Sequence, residues 1–318
     1  MVNNGMSLTR YRRCSQIGFT LFFFLMPVFN ILRYDTATHE LYILGQVWSL
    51  GLPEHFYADQ GAVSSFRVAA QFFLKAILPW IAFLALFPLL GFFTGRFFCG
   101  WLCPEGALFE LADHLTAKLI GRRNLFVTTD CEPHPSPTNK FWYGSIAALG
   151  MVIIPVLSGI MLTGYFVAPK TVWHQVLSGE FTFGVKAGIL GVTIYMLITS
   201  VLVRHVLCRF VCAAGLMQML FGWISPRSLR LKLDTSRISA CTDCRGCDRA
   251  CFMNVKPRRN KRDISCVNCG ACIDACNREL GAGKGLFHLA FGSACSLPAE
   301  NCRNVRIKLA SRADRTAE

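Results

Sequence analysis

The stretch Cys241-Thr-Asp-Cys244-Arg-Gly-Cys247-Asp-Arg-Ala-Cys251 has the cysteine spacing C-x2-C-x2-C-x3-C, and the same spacing returns over residues 266–276. Three cysteines with this spacing can bind three irons of one [4Fe-4S] cubane, while the fourth cysteine of each run reaches the other cluster. The spacing therefore predicts two clusters. The expected ligands are Cys241, Cys244, Cys247 and Cys276 for the first cluster, and Cys266, Cys269, Cys272 and Cys251 for the second.

Zinc ions and disulfide bonds are the other common uses of closely spaced cysteines. Zinc sites usually pair two C-x2-C knuckles around one ion and do not repeat a whole run of four cysteines. Disulfide bonds are rare in the reducing cytoplasm, where the distribution of charge described below places this segment. Both alternatives are therefore less favoured than iron-sulfur clusters.

Four charge-free apolar stretches precede this cysteine-rich tail. Each is close to the roughly 20 residues that a helix needs to cross about 30 Å of hydrocarbon. A helix of a soluble protein seldom stays apolar on every face over such a length. The composition agrees, because 16% of the residues are charged, against about 25% in an ordinary soluble domain. We therefore expect four transmembrane helices, over residues 14–32, 76–94, 143–167 and 187–203.

The distribution of basic residues predicts that both termini lie in the cytoplasm. Residues 34–66 contain no Lys or Arg but four acidic residues, whereas the chain from Arg204 onward contains 20 basic and 9 acidic residues. Basic residues resist export across the membrane far more than acidic residues do. The formal net charge of +14 is thus explained by membrane topology and contact with the lipid bilayer, and it does not require a nucleic acid partner.

A second kind of cysteine motif follows the second and the fourth predicted helix. The first copy reads Arg96-Phe-Phe-Cys99-Gly-Trp-Leu-Cys103-Pro104-Glu-Gly106, and the second reads Arg204-His-Val-Leu-Cys208-Arg-Phe-Val-Cys212-Ala-Ala-Gly215. Both copies are C-x3-C with a glycine three residues after the second cysteine, which indicates an internal duplication. Cysteines four residues apart share one face of a helix. We therefore expect four thiols to converge near the membrane surface, on the side of the tail.

Two interpretations of Cys99, Cys103, Cys208 and Cys212 stay open. These cysteines could form a third redox or metal site, for example a Cu(I) site, a further cluster or a thiol-disulfide pair. Free cysteines also pack well as small buried residues at helix ends. The recurrence of the pair together with its glycine favours the functional interpretation.

With both kinds of motif in place, the chain resembles the FixG/CcoG (RdxA), NapH and NosR group of membrane polyferredoxins over residues 10–290. The resemblance is carried by Cys99-Gly-Trp-Leu-Cys103-Pro104, the CxxxCP signature of that group, and by the position of the tail motif after the last helix. Ala213 stands where the group often has proline. The resemblance implies that the four C-x3-C cysteines belong to the functional machinery. Similarity to FixG/CcoG also implies an alternative function, that of a copper-reducing assembly factor for a respiratory oxidase.

The expected fold is an all-α membrane protein with a small C-terminal α+β domain of the bacterial 2[4Fe-4S] ferredoxin type. Its expected parts are a transmembrane domain over 1–225, a cytoplasmic ferredoxin-like domain over 226–290 and a basic tail over 291–318. The expected function is transfer of single electrons between a quinol or cytoplasmic donor and a redox partner protein, at the bacterial inner membrane. The sequence contains no evident general base, nucleophile or nucleotide loop, so the chain is interpreted as an electron carrier.

Overall fold

A computed structural model describes residues 7–48, 65–120, 140–259 and 264–292 of the chain. The chain forms two compact units. The first unit contains Met1–Thr20, Pro88–Ser145 and Ser200–Glu318, and the second contains Leu21–Phe87 and Ile146–Thr199. The predicted domains are continuous segments that end at residues 225 and 290, whereas each compact unit combines separate segments of the chain. The predicted basic tail over 291–318 lies almost entirely outside the described residues.

Helices make up most of the described part. Two short π-helical segments, Phe73–Ile77 and Thr199–Val203, interrupt the long apolar helices. The α-helices are α1 Leu8–Leu25, α2 Ser65–Phe72, α3 Leu78–Thr94, α4 Phe97–Trp101, α5 Pro104–Ile120, α6 Lys140–Thr163, α7 Pro169–Ser178, α8 Phe183–Ile198, α9 His205–Phe210, α10 Ala213–Ile224, α11 Gly246–Ala250 and α12 Ala271–Leu280.

Within the described ranges, three helical stretches are long and apolar enough to cross a membrane. They are Ala69–Thr94, Phe141–Thr163 and Phe183–Val203, with 26, 23 and 21 residues. They correspond to the second, third and fourth predicted spans. Their side chains are largely exposed, as Trp80, Leu84 and Ile146 illustrate with 68%, 63% and 65% exposure. Exposed apolar surface of this extent fits contact with lipid.

The prediction of a spanning helix over residues 14–32 is wrong in its extent. Helix α1 ends at Leu25 and a strand begins at Leu32. Pro27 explains the end of the helix, because a proline disfavours the helical conformation of the residue that precedes it. The apolar part of α1, 12 residues from Cys14 to Leu25, reaches about 18 Å at 1.5 Å per residue. This length falls short of the hydrocarbon core, which is about 30 Å thick, so the fourth span is not confirmed.

The second unit contains a three-stranded antiparallel sheet in a region that the sequence analysis treated as a loop. Its strands are β1 Leu32–Asp35, β2 Glu40–Ile43 and β3 Gln46–Trp48, in the order β1-β2-β3. The backbone N–H groups of Tyr34 and Thr36 donate to the carbonyl oxygens of Tyr165 and Phe166 at 2.8 and 2.9 Å. These bonds join the free edge of β1 to the segment that follows α6.

The first unit contains the cysteine-rich tail. Strand β4, Leu229–Leu233, pairs antiparallel with β5, Phe287–Phe291, and the two strands bracket α11 and α12 in sequence. The buried core between these elements contains two cysteines together with apolar side chains, namely Leu233, Cys247, Cys272, Leu286 and Phe287. Because so few apolar residues are buried, most of the interior of this segment is formed around the cysteines.

Helices α3 and α10 approach each other closely through glycines. A Cβ atom at Gly91 would lie 2.8 Å from the Cα atom of Gln218, and a Cβ atom at Gly222 would lie 3.1 Å from the Cα atom of Gly95. Contacts this short require residues without side chains. The glycines thus fix the position of α10, which follows the second C-x3-C motif, against the helix that precedes the first motif.

Candidate metal centres

The first cysteine quartet of the tail lines one cavity of about 480 Å³. Cys241 and Cys244 lie on an irregular segment, Cys247 lies in α11 and Cys276 lies in α12. The backbone N–H of Leu286 donates to Cys276 Sγ at 3.3 Å. The structure therefore brings together the four cysteines that the spacing assigns to one cluster, although two of them lie 35 residues apart in the sequence.

The second quartet lines a separate cavity of about 380 Å³. Its members are Cys251, Cys266, Cys269 and Cys272, so the fourth cysteine of each run lies with the first three of the other run. This crossing of the two runs is the arrangement that the sequence analysis expects.

Two pairs of equivalent turns explain how the chain folds around the quartets. Asp243 and Asn268 stand before the second cysteine of their runs, with φ of 62° and 53°, and Arg245 and Gly270 stand immediately before α11 and α12 with φ of 55° and 76°. Asp and Asn tolerate the left-handed region better than most residues. These turns direct successive thiols toward the same cavity.

Burial raises the pKa of several tail thiols. It raises the pKa of Cys247 to about 12 and that of Cys272 well above its ordinary value. The charges of Cys269, Cys266 and Cys251 raise the pKa of Cys272 further. Thiolates are the metal ligands, so binding of a metal or cluster here releases protons.

The chemistry of the quartets fits [4Fe-4S] clusters. A zinc or copper ion gathers its ligands around one centre, whereas each thiolate of a cubane binds a different iron. Four thiols line each cavity, and four thiolates are the ligand set of a [4Fe-4S] cluster.

The two C-x3-C motifs adopt the same local structure, and it differs from the expected single helix face. In each motif the first cysteine lies in a short helix, the chain turns at Leu102 or Val211, and the second cysteine immediately precedes a new helix. Cys103 precedes α5, and Cys212 is the N-cap residue of α10. The prediction of one shared helix face is therefore wrong, because a helix break separates the two cysteines.

The glycine of each motif has a steric role. A Cβ atom at Gly215 would lie 2.8 Å from the carbonyl oxygen of Cys208, and one at Gly106 would lie 3.2 Å from that of Cys99. The backbone N–H of Gly106 also donates to Cys103 Sγ at 3.5 Å. Glycine therefore lets the carbonyl of the first cysteine pack against the helix that begins at the second cysteine.

The four C-x3-C thiols act on one another electrostatically across the two repeats. Burial raises the pKa of Cys103 to about 12, and charges on Cys99 and Cys212 raise it further. Burial likewise raises the pKa of Cys208, with additional contributions from the other three thiols. Charge on either pair therefore affects the pKa of thiols in the other pair.

The loop of the second quartet lies directly against the first C-x3-C motif. Cys99 packs against a buried apolar cluster of Met253, Val255, Val267 and Cys269, which Cys251 and Cys266 also contact. No Cβ atom fits at Gly100, because the carbonyl oxygen of Val267 occupies that space.

Hydrogen bonds hold this contact in place. Trp101 Nε1 donates to the carbonyl oxygen of Asn268 at 3.0 Å. Asn268 Nδ2 donates to the carbonyl oxygens of Thr94 and Leu229 at 3.2 and 2.8 Å. The Asn268 amide thus links the end of α3 to the start of β4. Because Asn268 lies in the second run of cysteines, these bonds hold the second quartet beside the first C-x3-C motif.

Helix α1 anchors the same region from the other side, and the sequence analysis did not identify its role. Arg12 makes a two-pronged ion pair with Glu110, with N–O distances of 2.5 and 2.6 Å, and is 3% exposed. Burial alone would lower the pKa of Arg12, but the Glu110 carboxylate outweighs it and the pKa is raised. The first backbone N–H groups of α1, those of Leu8 and Thr9, donate to Asp274 of α12 at 3.1 and 2.6 Å.

A second buried ion pair lies beside Cys208. Asp113 accepts from Arg204 at 3.0 Å and pairs with His205 Nε2 at 2.8 Å. The ring of His205 lies 4.8 Å from the ring of Phe252, the residue after Cys251. Arg204 and His205 open the second motif in the sequence, but only the structure reveals Asp113 as their partner.

Comparison with known proteins agrees with these features. A family described as a 4Fe-4S binding domain matches residues 76–123 and 186–232, one match for each copy of the duplication. An uncharacterized protein of Methanocaldococcus jannaschii is 30% identical over 217 residues, which are 67% of this chain and 70% of the relative. The putative electron transport protein YccM of Escherichia coli is 25% identical over 288 residues, 86% of this chain and 74% of YccM. The ferredoxin-type protein NapH of Haemophilus influenzae is 25% identical over 195 residues, 58% and 61% of the two chains.

No solved structure matches the chain. The fold, the cysteine sites and the relatives together define an iron-sulfur protein of electron transport that has several apolar, membrane-type helices. The chain belongs to the ferredoxin-type membrane protein group, whose members include RdxA, FixG, NapH and NosR.

Proposed function

We propose that the chain carries single electrons between two [4Fe-4S] clusters in its tail and a third redox centre at the C-x3-C motifs. The observation that carries this proposal is the contact between the second quartet and the first motif. Cys99 packs against the buried cluster that contains Val267 and Cys269, and Val267 also lies against Gly100. Two redox centres separated only by packed side chains are suitably placed to exchange electrons.

The first cluster is assigned to Cys241, Cys244, Cys247 and Cys276, and the second to Cys266, Cys269, Cys272 and Cys251. The two cavities that these quartets line support the assignment. Each cluster supplies reversible one-electron chemistry when bound. The chain itself supplies the thiolate ligands and the positive charge of Arg258, which offsets part of the rise that burial causes in the pKa of Cys247.

The proposed topology has both termini on the cytoplasmic side of a bacterial inner membrane, which requires a fourth crossing, by α1 and the residues after it, in addition to the three long apolar helices. The bonds from Leu8 and Thr9 to Asp274 support it, because they place the start of α1 and the tail on the same side. The donor is a quinol or a cytoplasmic electron donor, and the acceptor is a redox partner protein. The group to which the chain belongs favours partners of this kind.

Reduction of copper for assembly of a respiratory oxidase is the second candidate function. The four converging thiols favour it, because soft thiolates bind Cu(I) well. The two candidates differ in the metal that is found with Cys99, Cys103, Cys208 and Cys212. If the purified protein binds copper in proportion to the number of these cysteines, a role in oxidase assembly is supported. If it binds no copper, electron transfer is supported.

Anaerobic purification with quantification of iron, sulfide and copper tests the two tail clusters. We expect Cys276→Ser to alter the EPR signal of the first cluster only, and Cys251→Ser to alter that of the second only, because the fourth cysteines cross between the runs. Cys14→Ser is the matched control, since Cys14 is a free, exposed cysteine outside both quartets. Zinc without iron in the purified protein, or loss of the same signal in both variants, would contradict the assignment.

A further inference from the structure

Parts of the chain outside the tail cover the loop of the second quartet. The side chain of Leu8 in α1 fills the space that a Cβ atom at Gly270 would need, and the carbonyl oxygen of Val267 fills the space at Gly100. The first backbone N–H groups of α1 also bond to Asp274 of α12. Helix α1 and the first C-x3-C motif thus restrict the access of a partner protein to this quartet.

Strand β4 connects this covered end of the tail to the first quartet. It begins at Leu229, whose carbonyl oxygen accepts from Asn268 of the second run at 2.8 Å. It ends at Leu233, which lies in the same buried core as Cys247 of the first quartet. The five residues of the strand, at a rise of about 3.3 Å each, place its two ends about 13 Å apart. The first quartet therefore lies at the end of the tail away from the first C-x3-C motif.

The ligands of the first quartet lie close to exposed surface. Cys241, Cys244 and Cys276 are half-buried, and Thr242 and Arg245, which directly follow two of them, are exposed. Electron transfer between two proteins requires a redox centre close to the surface on which the partner docks. The first cluster meets this requirement, whereas the loop of the second is covered.

The exposed surface of the tail carries an excess of positive charge. Between Leu229 and Phe291, three half-buried basic side chains are balanced by three half-buried acidic ones. Among the exposed side chains that the structure describes in this range, five are basic and one, Glu279, is acidic. The exposed basic residues are Arg237, Arg245, Lys256, Arg278 and Lys284.

Four of these basic residues lie around the first quartet. Arg245 directly follows Cys244 and lines the cavity of the quartet. Arg278 lies in the last turn of α12, two residues after Cys276. We name this surface the first-cluster face, and its basic residues are Arg237, Arg245, Arg278 and Lys284.

Hydrogen bonds place the other two residues of the face. Arg237 donates to the carbonyl oxygen of Lys284 at 3.1 Å. Lys284 lies two residues before Leu286, whose backbone N–H donates to Cys276 Sγ at 3.3 Å. The positive charge is therefore concentrated where the redox centre is accessible.

Membrane topology does not account for the first-cluster face. The last long apolar helix ends at Val203, and basic residues orient such a helix only within about 15 to 20 residues of its end. The face begins at Arg237, beyond this distance. Positive charge there favours an acidic partner, because complementary charges steer the encounter of two proteins and fix their orientation.

We propose that an acidic protein that carries single electrons docks on the first-cluster face and exchanges electrons with the chain through the first cluster. This inference rests on the proposed function and names the chemistry of its redox partner. A reduced carrier loses one electron and the first cluster gains it, so no bond forms or breaks. The second cluster then lies between the first cluster and the C-x3-C motifs on the path of the electron.

Binding of oxidised flavodoxin, an acidic one-electron carrier, tests the docking surface without electron transfer. The full-length protein is placed in nanodiscs of neutral phosphatidylcholine, and its Kd for flavodoxin is measured at low salt. We expect Arg237→Glu/Lys284→Glu to raise this Kd about ten-fold. The control Lys170→Glu/Arg227→Glu makes the same change of charge at two exposed residues outside the face and should bind like the wild type.

Two results of the binding experiment would overturn the proposal. One is an equal Kd for the wild type and Arg237→Glu/Lys284→Glu. The other is tighter binding of cytochrome c, a basic one-electron carrier, than of flavodoxin.

Stopped-flow reduction of the first cluster by reduced flavodoxin supplies a second test. The Debye length falls from about 30 Å at 0.01 M salt to about 3 Å at 1 M. We expect the wild-type rate constant to fall about ten-fold or more over this range. Arg237→Glu/Lys284→Glu should react about ten-fold more slowly than the wild type at the lower salt concentration and equally fast at the higher one. A rate constant that does not depend on salt would refute the docking surface.

The lipid composition and a small reductant distinguish the remaining outcomes. If the variant differs from the wild type only in nanodiscs that contain anionic phosphatidylglycerol, the face binds lipid and the proposal is wrong. Tail clusters that dithionite reduces, together with no binding of flavodoxin, would overturn the docking surface alone. Wild-type protein that contains neither tail cluster would overturn the proposed function, and this inference with it.

Discussion

Replacing Gly215 by alanine tests whether the glycine of each C-x3-C motif is required by packing. The new Cβ atom would lie 2.8 Å from the carbonyl oxygen of Cys208, whereas an ordinary contact begins at 3.4 Å. The short helix that holds Cys208 would have to move by a few tenths of an ångström or more. That carbonyl also accepts the 2.7 Å hydrogen bond from Arg96, so the movement disturbs a buried cation as well.

The size of the effect follows from a comparison with Gly150→Ala. Both glycines lie in helices, where alanine is intrinsically favoured by about 1 kcal/mol. A Cβ atom at Gly150 meets nothing within 4 Å, so this control isolates the intrinsic gain. Overpacking in a filled interior typically costs about 1 to 3 kcal/mol. We therefore expect Gly215→Ala to be less stable than Gly150→Ala by that amount, with Gly106→Ala in between because its contact is 3.2 Å.

Thermal unfolding in detergent at one fixed scan rate measures this order, since unfolding of such proteins is often irreversible. A difference of 1 kcal/mol shifts the midpoint by about 2 to 4 °C for a domain of 150 to 250 residues. The EPR signal of the third centre should also change in Gly215→Ala and stay unchanged in Gly150→Ala. The steric reasoning is refuted if Gly215→Ala melts at or above the temperature of Gly150→Ala.

Three further predictions concern the charges around the sites. Glu110→Gln leaves Arg12 buried without its counter-charge, so we expect the free energy of unfolding to fall by about 3 kcal/mol. The control Glu279→Gln, on the exposed surface, should hardly change the free energy of unfolding. Equal melting temperatures of the two variants would contradict this expectation. Arg258→Met removes positive charge near Cys247, and a redox titration should show a lower potential for the first cluster and an unchanged potential for the second. The raised pKa of Cys103, about 12, means that the thiol stays protonated far above its ordinary range. Incorporation of iron and sulfide into cluster-free protein should therefore release protons and increase with pH between about 6.5 and 8.5, and a flat dependence would contradict it.

Local spacing explains why the tail could be predicted in such detail. A cubane binds thiolates only at certain separations along a chain, so the spacing predicted that the fourth cysteine of each run lies with the first three of the other run. The structure groups the same cysteines around two cavities. The apolar helices were predictable for a similar reason, because a span depends on length and composition alone. The extent of the first span was wrong because a local signal was overlooked: α1 ends at Leu25, shortly before Pro27.

The residues that the sequence analysis missed share one property, which is that their partners lie far away in the chain. Gln218 meets Cys99 across 119 residues, Arg204 meets Asp113 across 91, and Asn268 meets Thr94 across 174. A lone glutamine or aspartate in an apolar helix carries no signal in a single sequence. The break within each C-x3-C motif was also missed, because the spacing of four residues is equally compatible with one helix.

The sequence by itself determined the iron-sulfur chemistry, the duplication and the apolar character of the long helices. These features depend on residue type and spacing, which the covalent chain carries directly. Only the tertiary structure decided that the loop of the second quartet lies against the first C-x3-C motif, and that a buried amide and a buried cation lie beside the C-x3-C cysteines. Contacts of this kind depend on how closely two backbones approach each other at Gly91, Gly100 and Gly215. This approach is set by tertiary packing, and the spacing of residues along the chain does not reveal it.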